Sequence, residues 1–415
     1  MRELCFRGIG EGWKYLILLF LLFFFAENCS SPVKERFHPS GVNSDFSFHG
    51  KSFNDYTAYS RKMIEEARTD LDEKNWETIV DGNAPIALPP PRTCSPGKLH
   101  PYARGILLSH GLTDSPYTMK RLAQFFRKEC FYVEVLLLPG HGTRPGDLLE
   151  VTWEDWGKAF SFGVDALKEN ADEVYLGGLS TGATLSVHHA MKDDSIRGLF
   201  LFSPALKITG KARLACWLSS LGRVFPRLGW LGRLQPDTNP FKYQSFSANA
   251  ACQIFHLTKA IEDTLGPSPL QAPLFIAASE DDTTVEIEGT MRFFSSTKSR
   301  NKRMILYGRE DHQVPEGVTL VKSRVPNTKI SSSSHMAIVL PPEDPFFGKR
   351  GKSPICTHYF GKDDDAYSRC LNGTEDILGE TIPEFLSRGV VRRLSYNPFF
   401  NSLLGDMKDF ISRIE

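Results

Sequence analysis

Gly178-Leu179-Ser180-Thr181-Gly182 sets a serine between two glycines, each two residues away. An apolar run at 173–176 (EVYL) precedes it, and a helical stretch over 184–191 follows it. A tight strand–turn–helix bend forces strained backbone angles on the serine and pushes its hydroxyl clear of the chain. The flanking glycines allow strand and helix to approach closely. The helix start turns its positive end toward the same place, which favours a developing negative charge. These are the requirements of a nucleophile attacking a carbonyl. Outside such a setting the motif is weak, and the plain alternative is a serine capping a helix. A serine hydroxyl is a poor nucleophile near neutral pH, so it needs a base, and the base needs an orienting carboxylate. Three carboxylates follow the apolar run 273–277: Glu280, Asp281 and Asp282. Two histidines compete as base. His312 follows the apolar run 304–307, and His335 follows Ser332-Ser333-Ser334, whose small side chains let an imidazole reach across. His188 and His189 lie within the helix after Ser180 and read as packing or surface residues.

Elements must hold these groups in place. Six short apolar runs, at 105–108, 132–138, 173–176, 198–202, 273–277 and 304–307, are separated by helical stretches. Continuous apolar runs suit strands buried on both faces, and their alternation with helices predicts an α/β domain with a parallel sheet. Trp153, Trp156, Phe160, Val164 and Leu167 share one helical face, as do Leu403, Met407, Phe410, Ile411 and Ile414 near the end. A helix is expected over 56–71, and Pro89-Pro90-Pro91 marks a stiff boundary after it. The stretch 206–270 breaks the rhythm. It carries Trp217, Phe225, Trp230 and several cations, and reads as a helical insertion over the sheet that either faces a membrane or packs its aromatics inward.

His110-Gly111-Leu112-Thr113 resembles the HG-x loop of α/β-hydrolases, and Leu138-Pro139-Gly140-His141-Gly142 resembles the LPGHG element of their monoglyceride-lipase and carboxylesterase branch, the S33 aminopeptidase type. With the Ser180 elbow, all three stand in that family's order, and the resemblance covers roughly residues 100–345. It implies an α/β-hydrolase fold: a mostly parallel central sheet flanked by helices, with a helical cap. It also implies an oxyanion hole from the backbone N–H groups of Leu112 and Thr181. His110 and His141 then shape loops, and Asp114 is helix-end polarity. The family's chain order Ser–Asp–His and its D-x-x-V pattern select Asp282, with Val285 anchoring the turn; Asp281 and Glu280 stay open as alternatives. His335, with Pro341-Pro342 and Phe346-Phe347-Gly348 behind it, resembles the catalytic-histidine segment of bacterial members. That choice makes 319–334 an excursion, and His312 remains the competitor.

Composition and termini bound the setting. The 415 residues carry 49 Lys+Arg and 49 Asp+Glu, with 41% apolar and 24% charged residues, a globular balance that gives no footprint for nucleic acid. Arg2, Arg7 and Lys14 precede the uncharged run 15–26, too short for a comfortable span of about 20 residues but the length of a signal-peptide core. Ala26-Glu27-Asn28-Cys29 resembles a relaxed bacterial lipoprotein box, in which Cys29 is lipidated, although Glu27 and Asn28 are not the usual small residues. Six cysteines beyond it, Cys94, Cys130, Cys216, Cys252, Cys356 and Cys370, suggest disulfides in an exported chain, with Cys356–Cys370 the simplest pair.

The organisation expected is a signal peptide (1–28), an N-terminal extension (29–92), a hydrolase core (93–205 and 271–415) and a helical cap (206–270). The chain is expected to be exported, either membrane-anchored through Cys29 or secreted. Its expected activity is serine hydrolysis of carboxylic esters, such as a monoglyceride, a lysophospholipid or a simple ester, through Ser180, Asp282 and His335, with no metal or organic cofactor. The alternatives are a peptidase or thioesterase on the same fold, or an exported binding lipoprotein without catalysis.

Overall fold

The structure is a computed structural model that describes residues 34–44, 47–208, 212–222, 229–230, 234–264 and 270–415. The expected signal at 1–28, the Cys29 box and Phe225 lie outside the described residues.

Helices α1 (Phe53–Ala67) and α2 (Trp76–Asn83) lead into strand β1 (Ile86–Leu88). A Ser52–Asp55 capping box starts α1, earlier than the expected helix over 56–71. Strand β2 (Tyr102–Ser109), helix α3 (Lys120–Lys128), strand β3 (Tyr132–Leu136), helix α4 (Trp153–Lys168), strand β4 (Ala171–Leu179), helix α5 (Thr181–Ala190) and strand β5 (Ile196–Phe202) follow. The insertion supplies α6 (Ala212–Gly222) and α7 (Ala248–Thr264). Strand β6 (Leu274–Ser279), helix α8 (Ile287–Ser296), β7 (Lys302–Gly308) and β8 (Val318–Lys322) complete the sheet. A final stretch adds α9 (Asp364–Leu371), β9 (Ile377–Gly379), α10 (Pro383–Leu386), β10 (Val391–Arg393) and the closing helix α11 (Phe400–Ile414).

The eight strands run in the order β1-β3-β2-β4-β5-β6-β7-β8, with β1 antiparallel to β3 and every other pairing parallel. The apolar runs become strands because both faces are covered. On β5, Leu199 and Leu201 join the core beneath α4, α5 and α7, while Phe200 and Phe202 join the core beneath α3 and α11. On β7, Met304 and Leu306 divide from Ile305 and Tyr307 in the same way. Alternation is hidden in the sequence because both sides are apolar.

Two boundaries differ from the expectation. The sheet starts inside the extension, at Ile86, because β1 zips onto the free edge of β3. Its other edge, β8, pairs with β7 from Val318 and runs into the stretch 319–334. The insertion also does more than lie over the sheet: Ala250, Leu257 and Ile261 of α7 are buried in the core shared by α4 and α5. Its aromatics divide, Trp230 packing inward edge-on against Phe37 and Trp217 standing exposed on α6.

Six cysteines form three disulfides, Cys94–Cys130, Cys216–Cys252 and Cys356–Cys370. The second joins α6 to α7, and the third closes a loop ahead of the small parallel sheet β9–β10.

Candidate active site

Ser180 sits between β4 and α5 with φ 53° and ψ −111°. This left-handed conformation is costly for a residue with a side chain and is held by its surroundings. The Ser180 N–H donates to Phe202 O at 2.9 Å, and the Thr184 N–H donates back to Ser180 O at 2.9 Å. The two motif glycines are steric requirements. A Cβ on Gly178 would stand 2.5 Å from Ser109 O, and one on Gly182 would stand 2.5 Å from Ser109 C and 2.8 Å from His110 O. Closely packed backbone from β2 therefore fixes the bend.

His335 Nδ1 lies 2.5 Å from Asp282 Oδ2. The other carboxylate oxygen, Oδ1, accepts from the Thr284 N–H at 2.7 Å and the Val285 N–H at 3.1 Å. Burial pushes the Asp282 carboxyl up. The facing imidazole, the Arg393 guanidinium and the Thr284 amide outweigh it and hold the group below its ordinary value. A charged Asp282 fixes the proton on Nδ1 and leaves Nε2 free to accept one. The serine run before the imidazole is pinned: Ser332 Oγ accepts from the Glu380 N–H at 2.8 Å, and Ser334 Oγ donates to Leu394 O at 2.5 Å. Ser203 Oγ donates to the His335 carbonyl at 2.9 Å.

The competitors are engaged elsewhere. His312 Nε2 pairs with Glu280 at 2.8 Å on the exposed rim. Asp281 pairs with Arg309 Nε at 2.7 Å. His189 faces Asp193 at 3.3 Å and His188 faces Lys192 at 2.9 Å, both at the far end of α5.

Leu112 and Thr181 flank Ser180, and neither backbone N–H has an acceptor among the described residues. Two buried histidines brace the loop that carries Leu112. His110 Nδ1 donates to Gly111 O at 2.8 Å while its Nε2 accepts from the Leu138 N–H at 3.1 Å. His141 Nδ1 donates to Pro139 O at 3.1 Å while its Nε2 accepts from the Thr113 N–H at 3.1 Å. Each ring thus staples one loop to the other, and each must be neutral to do so. Burial delivers that state, pulling His110 down to about 4 and His141 down to about 3. Asp114 is not merely helix-end polarity. It pairs at 2.6 Å with Lys242 of the insertion, and Lys242 also donates to Thr113 Oγ1 at 2.9 Å.

Ser180, His335, Leu112 and Thr181 open onto one cavity of about 570 Å³. Its apolar wall includes Leu214 and Leu218 of α6, Ile254 of α7, Val285 and Met336; Arg393, Thr357 and Thr284 give a polar side. A wider groove of about 1280 Å³ runs between the N-terminal segment and α4, with Trp153, His188 and His189 on its wall, and none of Ser180, Asp282 or His335 lines it. Among the described residues one trio of potential metal ligands meets, Cys216, Cys252 and His256, but the two sulfurs are bonded to each other.

Residues 101–316 match the family described as serine aminopeptidase, S33. The chain belongs to this family. Among its relatives, the thermostable monoacylglycerol lipase of Bacillus sp. (strain H-257) is 28% identical over 211 residues, spanning 48% of this chain and 79% of that protein. The carboxylesterase of Bacillus subtilis (strain 168) is 20% identical over 222 residues, 53% of this chain and 87% of that one. A solved structure, a soluble variant of monoglyceride lipase from Saccharomyces cerevisiae with a substrate analogue, has a TM-score of 0.45 and 12% identity, over 80% of this chain and 91% of that one.

The S33 match holds Ser180 and Asp282 and ends before His335. Two residues beyond it escaped the sequence reading. Arg393 of β10 donates through Nη2 to Glu380 at 2.8 Å and to Thr284 Oγ1 at 2.7 Å, and Glu380 is fully buried. A basic residue far from any motif, one of the pair Arg392-Arg393, carries no signal of its own. Only the pairing of β9 with β10 brings these two side chains to the dyad.

Proposed function

We propose that this S33 family member is a serine hydrolase of carboxylic esters, with Ser180 as nucleophile, His335 as general base and acid, and Asp282 as its orienting carboxylate. The observation that carries this reading is Ser180 on a strained elbow, sharing an apolar-walled cavity with an imidazole hydrogen-bonded to a buried carboxylate. Ser180 Oγ attacks the ester carbonyl while His335 Nε2 takes its proton. The Leu112 and Thr181 N–H groups receive the oxyanion, and imidazolium beside charged Asp282 is stabilised. His335 then protonates the leaving alcohol and activates water, which releases the acid and restores Ser180.

The lining favours esters over peptides with a free amino terminus. An α-ammonium group is held most strongly by an unpaired carboxylate. Among the described residues that line the cavity Asp114 is the one acid, and Lys242 already neutralises it. The relatives' names, a monoacylglycerol lipase and a carboxylesterase, agree with an acyl-ester substrate, and the leucines of α6 suit an apolar acyl chain.

Three disulfides fit folding in an oxidising compartment, so we place the protein outside the cytosol, lipidated at Cys29 or secreted. Hydrolysis of p-nitrophenyl esters from acetate to palmitate tests the activity. Turnover lost in Ser180→Ala and His335→Ala and kept in His312→Ala supports it; turnover surviving Ser180→Ala overturns it. Fluorophosphonate labelling that depends on Ser180 separates an enzyme from a binding protein. Detergent partitioning of the full chain against Cys29→Ser tests the anchor.

A further inference from the structure

The loops that deliver Asp282 and His335 come from different strands, and something must hold them in register. Asp282 lies in the turn after β6, and His335 follows the edge strand β8. The 2.5 Å hydrogen bond between them joins the loops only at the reacting groups themselves.

We infer that Arg393 is a positioning residue for the acid–base pair, clamping the Asp282 loop to the His335 loop through Thr284 on one side and Glu380 on the other. One guanidinium nitrogen, Nη2, reaches both partners, Thr284 Oγ1 at 2.7 Å and Glu380 Oε2 at 2.8 Å. Thr284 is also the residue whose N–H binds Asp282 Oδ1 at 2.7 Å. Glu380 is fastened to the histidine segment by its own N–H, which donates to Ser332 Oγ. The clamp has a support of its own. The Arg393 N–H donates to Ile355 O at 3.2 Å, next to the Cys356–Cys370 disulfide, so the cross-linked loop fixes the base of the arginine. Arg393, Glu380 and Ile355 lie beyond the family match at 101–316, and Thr284 and Asp282 lie within it.

Arginine suits the task because its permanently charged, rigid planar head carries Nη2 at a fixed distance and direction from the backbone, whereas the shorter, freely rotating lysine ammonium keeps the charge without holding that position. The charged groups that act on it are Glu380, Asp282 and Asp114, with His358 feeling its charge from the adjoining loop. The guanidinium therefore also contributes to the field on the dyad. Removing it takes a positive charge from beside Asp282 and makes proton uptake by the pair easier.

The inference rests on the proposed hydrolase reading, and the experiment separates the two. Wild type, Arg393→Met, Arg393→Lys and Thr284→Val are compared by kcat, KM and the pH profile of kcat/KM on one p-nitrophenyl ester, with thermal unfolding alongside. Arg393→Met is expected to lose about tenfold or more in kcat with KM changed by less than about threefold. Its acid limb should move to higher pH, because the guanidinium no longer opposes protonation beside Asp282. Arg393→Lys should restore the limb and not the rate. Thr284→Val, which cuts one arm of the clamp at an exposed residue, should lose part of kcat. Arg393→Met with kcat within about twofold of wild type overturns the inference, as does a loss of rate with the acid limb unmoved. Should Arg393→Met fail to fold, wild-type kcat in Thr284→Val overturns it. Absence of Ser180-dependent turnover in the wild type is a different failure and sinks the hydrolase reading.

Discussion

Gly182→Ala is the sharpest test of how the site is built. The added methyl group points at backbone, with Ser109 C at 2.5 Å and His110 O at 2.8 Å, below the 3.0 Å that real Cβ atoms keep. No flexible side chain can yield. Relief requires α5 and the end of β2 to separate by about 0.5–1 Å, stretching the 3.1 Å hydrogen bond from the Gly182 N–H to His110 O. Thr181 rides on α5 and Leu112 on the loop after β2, so the separation pulls apart the two N–H groups that would share one oxyanion. A misplacement near 1 Å, or the loss of one oxyanion donor, costs about 10²–10³ in rate. We expect Gly182→Ala to lower kcat/KM for p-nitrophenyl butyrate by about 10²-fold and to slow fluorophosphonate labelling in parallel. Gly157→Ala on α4 is the control. Its Cβ meets nothing within 4 Å, so activity should stay and stability should rise by about 0.5–1 kcal/mol. A folded Gly182→Ala protein with activity within about threefold of wild type would refute the reasoning.

Glu134 is buried on β3 with no hydrogen bond of good geometry to either carboxylate oxygen among the described residues, and burial pushes it up to about 8 against the opposing pull of the nearby Tyr132 hydroxyl. The fold favours its protonated form, so its contribution is full below about pH 4.5 and lost as pH rises through about 8, at about 1.4 kcal/mol per pH unit. Glu134→Gln should flatten that decline in urea titrations from pH 5 to 9; identical slopes in the two proteins would disprove it. His141→Phe keeps a ring of similar size, leaves the Thr113 N–H buried without an acceptor and should cut kcat about tenfold or more at nearly constant KM, whereas unaltered kinetics would deny the histidine its bracing role. Replacing Cys356 and Cys370 together by serine opens a loop with a sequence separation of 14 and should cost about 3 kcal/mol in denaturation and lower kcat through Arg393; full activity in the double variant would uncouple that loop from the dyad.

What the sequence discloses divides along physical lines. Central strands were legible because burial on both faces leaves an uninterrupted apolar run, as at 198–202. The edge strands were not. β8 reads Val-Thr-Leu-Val-Lys with no residue fully buried, and β1 is three residues long. A strand with one neighbour and one wet face has no need of the apolar run. The Ser180 bend was readable because its glycines answer steric demands made by backbone only a few ångströms away. His110 and His141 could be recognised as loop residues, yet their reciprocal stapling depends on two loops meeting. Asp282 and His335 stood out from Glu280, Asp281 and His312 through family pattern rather than spacing, since composition treats the three acids alike.

The two halves of the site are held by opposite means, and this explains why one half was hidden. The loop proposed to carry the oxyanion donor Leu112 is stapled mainly by buried neutral imidazoles, whose protonation burial suppresses, with the Asp114–Lys242 pair at its flank. Those residues lie within motifs, because each histidine acts on backbone two loops away at most. The acid–base half is fixed by charge. Arg393 meets a fully buried Glu380 and lends its field to Asp282, and a buried charge needs its partner at hydrogen-bond distance or it is strongly destabilising. Such a pair is set by three-dimensional closure, not by spacing along the chain. Breaking either partner should therefore harm the protein more than replacing both: Glu380→Gln or Arg393→Met alone strands one charge, while the double variant strands none. A double-mutant cycle on thermal stability and kcat separates the outcomes. Stability in the double variant above that of the worse single variant, with kcat still low, follows from a clamp whose value is geometry rather than energy. Recovery of kcat in the double variant would show that only the unpaired charge did the damage.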